Sequence, residues 1–449
     1  MKQLFAIALT LVLIIGGTAQ VQASLNSTIR CDRAQAAGNH LAKAIEIIMS
    51  HYMYSVTVDK LTETAVRSMI GVIETDGSVE TFLSPAIGNR DKLGCRLAKA
   101  IELIMIRYTG SVTACELFDA AMHGMTGMLD QYSYYMSASE YECFMDRISG
   151  KVASLGVIVT TTENGHQIVS DVLPDSPAQM AGIKPGDIFL FVNWKYVTGL
   201  YYEAITDRLF STEKDQANII VRRGTCFYIF DILMAEVYSP TVIVERLEYM
   251  PVAQEFSNLC DIRYMHIRSI GCTTGYYVER ALSDMYLEGV TRLILNLRGN
   301  GGGYLCVTVD ICKQLVPEGA VVHTVDKSGH RHTYISTLQE AFFKNIVVLV
   351  DRYTASGAEI IASALQDAGV AVIIGETTFG KGLVQSIYPV GYGGALVITT
   401  KEYFRRDGGR INEIGVVPCI EISVYQACRR WDPVLYRALE LLTGSLKPV

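Results

Sequence analysis

The stretch DRYTASGAEIIASALQDAG, residues 351–369, predicts the end of an apolar strand followed by a helix. Apolar residues of that helix, among them Ile361 and Leu365, recur at helical spacing, and its small residues let it lie close to a sheet. Ser356 stands at the corner. A serine there is commonly only a helix cap. The same position offers free N–H groups and the positive end of the helix dipole, which stabilise negative charge.

The segments around this corner alternate between strands and helices. The stretch RLILNLRGNGGG at 292–303 indicates a strand followed by a Gly-rich turn, and apolar runs at 345–351 and 370–376 indicate further strands. DPVLYRALELL at 432–442 indicates a final helix that begins at an Asp-Pro pair. Strands that alternate with helices in this way are the pattern of an α/β domain. The sequence therefore predicts an α/β core over 236–449 with a C-terminal helix.

A glycine-rich turn, RGNGGG, follows the first of these strands. Without side chains its N–H groups can approach a ligand closely, so it could supply a second oxyanion donor beside the N–H of Gly357. A tight turn alone and a phosphate cradle are the alternatives. The cradle is disfavoured because Tyr304 replaces the last glycine of a G-x-G-x-x-G pattern.

A lysine is the candidate base for Ser356, since no histidine lies in these motifs. Lys381 falls between two glycines in GETTFGKGLVQ, residues 375–385, and in an extended chain it shares a face with Gln385. Burial lowers the pKa of a lysine amine far below its usual value of about 10.4, so that the amine can accept a proton. The alternative is a lysine in an exposed turn.

A direct repeat precedes the core. LAKAIEIIM at 41–49 recurs as LAKAIELIM at 97–105, and the offset of 56 continues downstream. This predicts two similar helical units that pack together, about 31–90 and 91–146, inside a helical N-terminal region at 24–149. The repeat is either a structural duplication or a docking surface, and a homo-oligomer could form through it and the C-terminal region.

The first 23 residues have the pattern of a signal peptide. Lys2 precedes an apolar run from Leu4 to Gly17, and Val21-Gln22-Ala23 is a small-x-small cleavage site. The sequence therefore predicts export to a periplasmic or other extracytoplasmic space, with an uncleaved membrane anchor as the alternative. A formal net charge of −7 and the lack of a basic run argue against a nucleic-acid partner.

Composition indicates neither a metal site nor a disulfide scaffold. The eleven cysteines are scattered and form no C-x-x-C, so most are predicted to be small buried residues, and no pairing can be assigned. His330 and His332 are predicted to lie on a solvated hairpin. No cofactor or metal is expected.

Residues 150–235 resemble a PDZ domain. The resemblance rests on SPAQMAGIKPGDIFLFVN at 176–193, where a short helix closes at Gly182 and a turn follows. It implies a sheet edge that pairs with an apolar C-terminal tail and a loop that takes the tail's carboxylate. Four residues fall in that loop: Ser154, Leu155, Gly156 and Val157. The alternative is a regulatory lid that binds no peptide.

Residues from about 115 to 449 resemble the C-terminal processing peptidases, or tail-specific proteases. Five motifs match in order: GMTGMLDQYSYYMSASEYE, LNLRGNGGG, TASGAEIIASALQDAG, GETTFGKGLVQ and TTKEYFRRDGGRINEIGVVP. These are Ser-Lys serine proteases with an embedded PDZ domain. The resemblance implies a multidomain α/β protein with the duplicated helical region, a PDZ domain and a crotonase-like (ClpP/crotonase-type) core.

The resemblance also implies roles for five residues. Ser356 falls on the nucleophile, Lys381 on the general base and Gln385 on the residue that orients the base. Gly357 and Gly302 fall on the oxyanion donors. The expected function is an exported serine endopeptidase that cuts proteins near their C-termini, with the PDZ domain gating activity. A catalytically silent binder of C-termini and, more remotely, a crotonase-like lyase or isomerase are the alternatives.

Overall fold

The computed structural model describes twelve ranges of the chain: 28–72, 93–108, 112–149, 153–161, 167–173, 176–197, 216–236, 241–247, 255–340, 342–343, 345–422 and 432–444. The predicted signal peptide at 1–23 lies outside the described residues. The chain divides into two compact units. The first unit comprises Met1–Glu142, Val322–Tyr334 and Lys381–Glu413, and the second comprises Cys143–Val321, Ile335–Gly380 and Ile414–Val449.

Ten helices occur in the described residues, together with one short 3₁₀ turn at Gly391–Gly393. The helices are α1 (28–51), α2 (Val58–Gly71), α3 (Leu93–Arg107), α4 (Ala114–Gly127), α5 (Ala138–Ser149), α6 (Pro177–Ala181), α7 (Thr274–Leu287), α8 (Leu305–Leu315), α9 (Gly357–Asp367) and α10 (Pro433–Thr443).

The described residues also contain nineteen strands. The strands are β1 (Tyr134–Met136), β2 (Ala153–Ser154), β3 (Val157–Thr161), β4 (Gln167–Val172), β5 (Ile188–Val192), β6 (Lys195–Tyr196), β7 (Gln216–Arg223), β8 (Cys226–Leu233), β9 (Ala235–Glu236), β10 (Val242–Arg246), β11 (Ile262–Ile267), β12 (Arg292–Asn296), β13 (Gly319–Asp326), β14 (Arg331–Ser336), β15 (Asn345–Val350), β16 (Ala371–Gly375), β17 (Leu383–Pro389), β18 (Ala395–Phe404) and β19 (Ile420–Glu421).

The repeat in the first unit appears as two matched helix pairs, α1–α2 and α3–α4. Thr57 and Thr113, which are 56 residues apart, cap α2 and α4 by accepting the N–H of the residue three positions on. The apolar faces of all four helices join one buried cluster. The two predicted helical units therefore pack on each other.

Equivalent positions of the two repeats meet where the helices cross. A Cβ on Gly38 would lie 2.4 Å from the carbonyl oxygen of Gly94, its counterpart 56 residues later. A Cβ on Gly124 would lie 1.9 Å from the hydroxyl of Ser68, which is again its counterpart. Both crossings thus bring a residue against its own repeat partner, which is the relation expected of a local two-fold axis.

A five-stranded sheet completes the first unit. Strand β18 pairs antiparallel with β17 along one side, and with β1 and β13 along the other. Leu396 and Ile398 of β18 are buried in the same cluster as the repeat helices. The β17–β18 register shifts between Val384 and Gln385, so residues do not alternate strictly along this segment.

The second unit contains a six-stranded sheet in the order β10–β11–β12–β15–β16–β19. Five strands of this sheet run parallel to one another, namely β11, β12, β15, β16 and β19. Strand β10 pairs antiparallel with β11 at the edge of the sheet. Helices α7, α8 and α9 lie between successive parallel strands in the chain, and α10 packs into an apolar cluster with β12, β15 and β16. The predicted mixed α/β class is confirmed.

A second sheet of this unit is antiparallel, in the order β3–β4–β5–β7–β8 with β6 on β5. The short helix α6 ends at Gly182, whose φ is 90°, as the sequence predicts. At its start Ser176 caps it and Pro177 occupies its first turn. Its Ala178 is buried in the apolar core of this sheet.

The prediction that most cysteines are buried is wrong for the described residues. Of the ten cysteines described there, Cys115 is half-buried, Cys312 is buried and the other eight are exposed. A scattered cysteine carries no mark of burial in composition alone, so exposure could not be read from the sequence. No helix among the described residues is long and apolar enough to cross a membrane, and none of the described acidic, histidine and cysteine side chains gather into a metal-binding group.

Candidate active site

Ser356 stands immediately before α9 in a strained conformation. Its φ of 55° and ψ of −118° lie outside the wells that non-glycine residues normally occupy. Two contacts fix the preceding turn, because Ala355 donates its N–H to the carbonyl of Asn300 at 2.9 Å and Thr354 donates its hydroxyl to Leu297. These contacts hold the half-buried serine in its strained conformation, at the positive end of the helix dipole.

Glu359 is a functional candidate that the sequence interpretation missed. It is fully buried, and its carboxylate accepts the Ser356 N–H at 2.8 Å. The same carboxylate accepts the hydroxyl of Thr378 and, at 2.7 Å, the N–H of Gly380. One buried anion therefore ties the serine turn to the segment that leads to Lys381. The S-x-x-E spacing of a capping box was the available signal.

The glycine-rich turn lies against Ser356. A Cβ on Gly302, whose φ is 92°, would lie 2.6 Å from the Gly357 nitrogen and 2.8 Å from the Ser356 Cβ. Only glycine can approach this closely. In this structure the Gly302 N–H donates to the Asn300 carboxamide at 2.8 Å. Its role as an oxyanion donor remains a prediction.

The base of this turn is anchored to the C-terminal helix. Arg298 donates to the carboxylate of Asp432 at 2.7 Å, and that carboxylate also caps α10 by accepting the N–H groups of Val434 and Leu435. Although burial alone would raise it, the ion pair with Arg298 holds the pKa of Asp432 below its usual value. The arginine is therefore fixed at the start of the glycine turn.

Lys381 and Gln385 lie together in the first unit. The Lys381 amine sits 4.8 Å from the centre of the Tyr132 ring, and the lysine's carbonyl accepts the hydroxyl of Tyr403. Gln385 donates its side-chain amide to the hydroxyl of Thr399 at 3.2 Å. Each residue is thus held by a contact to β18, Lys381 through its carbonyl and Gln385 through its side chain.

The predicted carboxylate loop runs from β2 into β3. Ser154 pairs with Ala235, and Val157 pairs with Val172. The side chain of Leu155 is buried in the core of the antiparallel sheet. Gly156 has a φ of 74°, which explains the need for glycine.

The predicted residues fall into three local groups. Ser356, Gly357 and Gly302 meet in the second unit, whereas Lys381 and Gln385 belong to the first. The third group is the loop from Ser154 to Val157, at the edge of the antiparallel sheet.

Comparison with known proteins gives one consistent answer. Residues 261–422 match the peptidase family S41 profile. The carboxy-terminal processing protease CtpA of Bacillus subtilis is 31% identical over 333 residues, which cover 73% of this chain and 69% of the relative. CtpB of the same organism is 29% identical over 362 residues, covering 79% of this chain and 73% of the relative.

Solved structures agree on the fold. The photosystem II D1 C-terminal processing protease superposes with a TM-score of 0.52 at 22% identity, over 86% of this chain and 93% of that one. An S41 protease structure from Bacteroides fragilis gives a TM-score of 0.53 at 15% identity, over 90% and 97%. The matches define this protein as a serine-type peptidase, a hydrolase. The chain belongs to peptidase family S41.

Proposed function

We propose that this chain is an exported endopeptidase that cleaves protein substrates near their C-termini. The observation that carries the proposal is the strained Ser356 at the start of α9, packed against the glycine turn, in a chain whose relatives are named carboxy-terminal processing proteases. Ser356 attacks the scissile carbonyl, and Lys381 takes the serine proton and returns it to the leaving amine. Water then hydrolyses the acyl-enzyme.

The N–H groups of Gly357 and Gly302 are proposed to hold the oxyanion. The Gly357 N–H is at the first position of α9, where the helix leaves N–H groups without intrahelical acceptors. For Gly302 the same role requires its N–H to leave the Asn300 carboxamide when substrate binds. Donors that face the developing charge contribute more in the transition state than in the ground state.

Lys381 is proposed as the base, oriented by Gln385. A primary amine accepts a proton only when neutral, and withdrawal from water favours the neutral form. Lys381 is half-buried, and an aromatic ring lies beneath its amine. No cofactor or metal takes part in the proposed reaction.

Residues 150–235 are proposed to act as a PDZ domain that captures an apolar C-terminal tail and gates cleavage. The six-stranded antiparallel sheet and the helix α6, ended by Gly182, support this proposal. The loop of Ser154, Leu155, Gly156 and Val157 would take the terminal carboxylate through N–H groups, since the Leu155 side chain is buried. The parallel sheet with its intervening helices is consistent with a crotonase-like core.

Export is proposed from the leader at 1–23. N-terminal sequencing of the protein recovered from the periplasm or medium is expected to begin at Ser24. Recovery with Met1 still present would favour the uncleaved anchor.

The decisive experiment compares Ser356→Ala and Lys381→Ala with wild type on a protein substrate that carries an apolar tail. Both variants are expected to lose turnover while retaining the fold. Ser363→Ala, in the same helix, and Lys313→Ala, in a surface ion pair, are the matched controls and are expected to cleave normally.

A fluorophosphonate probe separates the enzyme from the silent binder. The probe is expected to label wild type at Ser356, as mapped by mass spectrometry. An unlabelled wild type that still binds the tailed substrate would replace the proposed protease with a binder of C-termini. Turnover by Lys381→Ala near the wild-type rate would eliminate the proposed base.

A further inference from the structure

A hydrogen-bonded relay in the first unit connects Asp130 to Gln385. Asp130 lies in the loop after α4, and its carboxylate accepts the Thr399 hydroxyl at 3.0 Å. The Thr399 oxygen in turn accepts the side-chain amide of Gln385 at 3.2 Å. Thr399 is fully buried in β18, and the register shift after Val384 brings Gln385 opposite it. The three side chains therefore form a continuous path.

The chemistry of Asp130 gives this path a direction. An ionised carboxylate only accepts hydrogen bonds, so the single hydroxyl proton of Thr399 must point at Asp130. The Thr399 oxygen is then available only as an acceptor, and its neighbour must donate. The Gln385 amide consequently turns its NH₂ end to Thr399. Its carbonyl oxygen, Oε1, is left as the end that can accept a hydrogen bond from an amine.

Asp130 is itself held firmly. Its carboxylate also accepts the N–H of Tyr132 at 2.8 Å and the hydroxyl of Ser133 at 2.9 Å, and its own N–H donates to the Tyr52 oxygen at 2.9 Å. Burial and the nearby Asp130 raise the pKa of Tyr52 to about 12, so the phenol remains neutral.

The Asp130 carboxylate also influences the surroundings of Lys381, indirectly, through Tyr132. By accepting the Tyr132 N–H it fixes the turn that carries Tyr132. The centre of the Tyr132 ring lies 4.8 Å from the Lys381 amine. A ring face favours the ammonium form that the base acquires when it takes the serine proton. Asp130 thus anchors both the ring beside Lys381 and the amide of Gln385.

We propose that Asp130 is a positioning residue that, through Thr399, fixes which end of the Gln385 amide faces the catalytic lysine. This inference rests on the proposed function, in which Lys381 is the base. Neither Asp130 nor Thr399 needs to touch the substrate. They act by setting the orientation of the amide and therefore of the amine.

Two substitutions test the relay. Asp130→Ala removes the carboxylate that accepts the Thr399 hydroxyl, and Thr399→Val removes the hydroxyl itself. Each is expected to lower kcat by about 10- to 100-fold with KM changed less than about twofold, because the lysine is misplaced while substrate binding is retained. Thr399→Ser keeps the hydroxyl and is expected to restore most of kcat.

A double-variant comparison distinguishes positioning from a purely structural role. If the relay acts through Gln385, the pair Thr399→Val with Gln385→Ala will be no slower than Gln385→Ala alone, because Thr399→Val leaves the contact between Asp130 and Tyr132 in place. The rate of Ser356 acylation by a fluorophosphonate probe, normalised to the folded fraction from circular dichroism, is the second readout. It should fall in parallel with kcat.

Three results would overturn the relay. Asp130→Ala and Thr399→Val could melt earlier yet acylate Ser356 at the wild-type rate per folded molecule. The two effects in the double variant could multiply. Thr399→Ser could be as slow as Thr399→Val. In each case wild type would still be labelled at Ser356, so the proposed protease function would stand. An unlabelled, inactive wild type would instead refute both.

Discussion

The carboxylate of Glu359 accepts the backbone N–H of Ser356 over 2.8 Å from inside the protein, where its side chain has no solvent exposure. Burying a carboxylate is costly unless several donors compensate it. Here the N–H of Gly380 and the hydroxyl of Thr378 also donate to the carboxylate. The nucleophile turn and the start of the lysine segment are consequently fixed by one charge.

Replacing Glu359 with Gln is therefore expected to impair both stability and activity. The amide NH₂ would face either the Ser356 or the Gly380 N–H, leaving a buried donor unsatisfied, at a cost of about 3 kcal/mol in the free energy of unfolding. Urea unfolding and kcat measured on the folded enzyme check this. Glu440→Gln, which breaks only a pair with Arg437, is expected to change stability by about 0.5 kcal/mol or less.

The glycine turn gives a matched pair of substitutions. Gly302 and Gly299 both have positive φ, but a Cβ on Gly299 meets nothing within 4 Å, whereas one on Gly302 would strike the Gly357 nitrogen. Gly299→Ala should cost only the backbone strain, about 1–2 kcal/mol. Gly302→Ala should also displace the Ser356 turn and lower kcat by about 100-fold. Equal kcat values in the two variants would show that the close packing does not matter to turnover.

Two substitutions of Asp432 separate the contribution of its ion pair with Arg298 from that of its cap on α10. Asp432→Asn keeps an oxygen to cap α10 but loses the ion pair with Arg298, whereas Asp432→Ala loses both. We expect losses of about 1 and 2 kcal/mol in the free energy of unfolding, respectively. A lowered kcat in both variants would connect the C-terminal helix to the glycine turn; an unchanged kcat would confine Asp432 to stability.

The burial of His266 predicts that the protein loses stability in acid. Burial lowers the pKa of this imidazole to about 4, whereas in the unfolded chain it is about 6.5. Between these values the unfolded state binds more protons, so stability rises with pH and is lost as pH falls from about 6.5 towards 4. We expect a loss of about 3 kcal/mol across this window.

Thermal unfolding from pH 7 to pH 4 measures this dependence. His266→Asn should flatten the curve. A wild-type curve that is already flat would contradict the buried neutral imidazole.

Local patterns were sufficient where structure depends on neighbours in sequence. The offset of 56 predicted two similar helical units, in which the structure places matched caps at Thr57 and Thr113, and the corner before α9 singled out Ser356. The relay could not be found this way, because Asp130 and Thr399 are 269 residues apart. The register shift before Gln385 was also unpredictable, since alternation was the only guide to which side chains share a face.

The crossing of Ser68 with Gly124 has an evolutionary implication. In a homodimer every substitution appears on both sides of the symmetry axis at once, so a close contact must tolerate two copies of the same side chain. Covalent fusion of the halves removes that requirement. One repeat can keep a hydroxyl where the other has lost its side chain altogether, and each half is free to specialise.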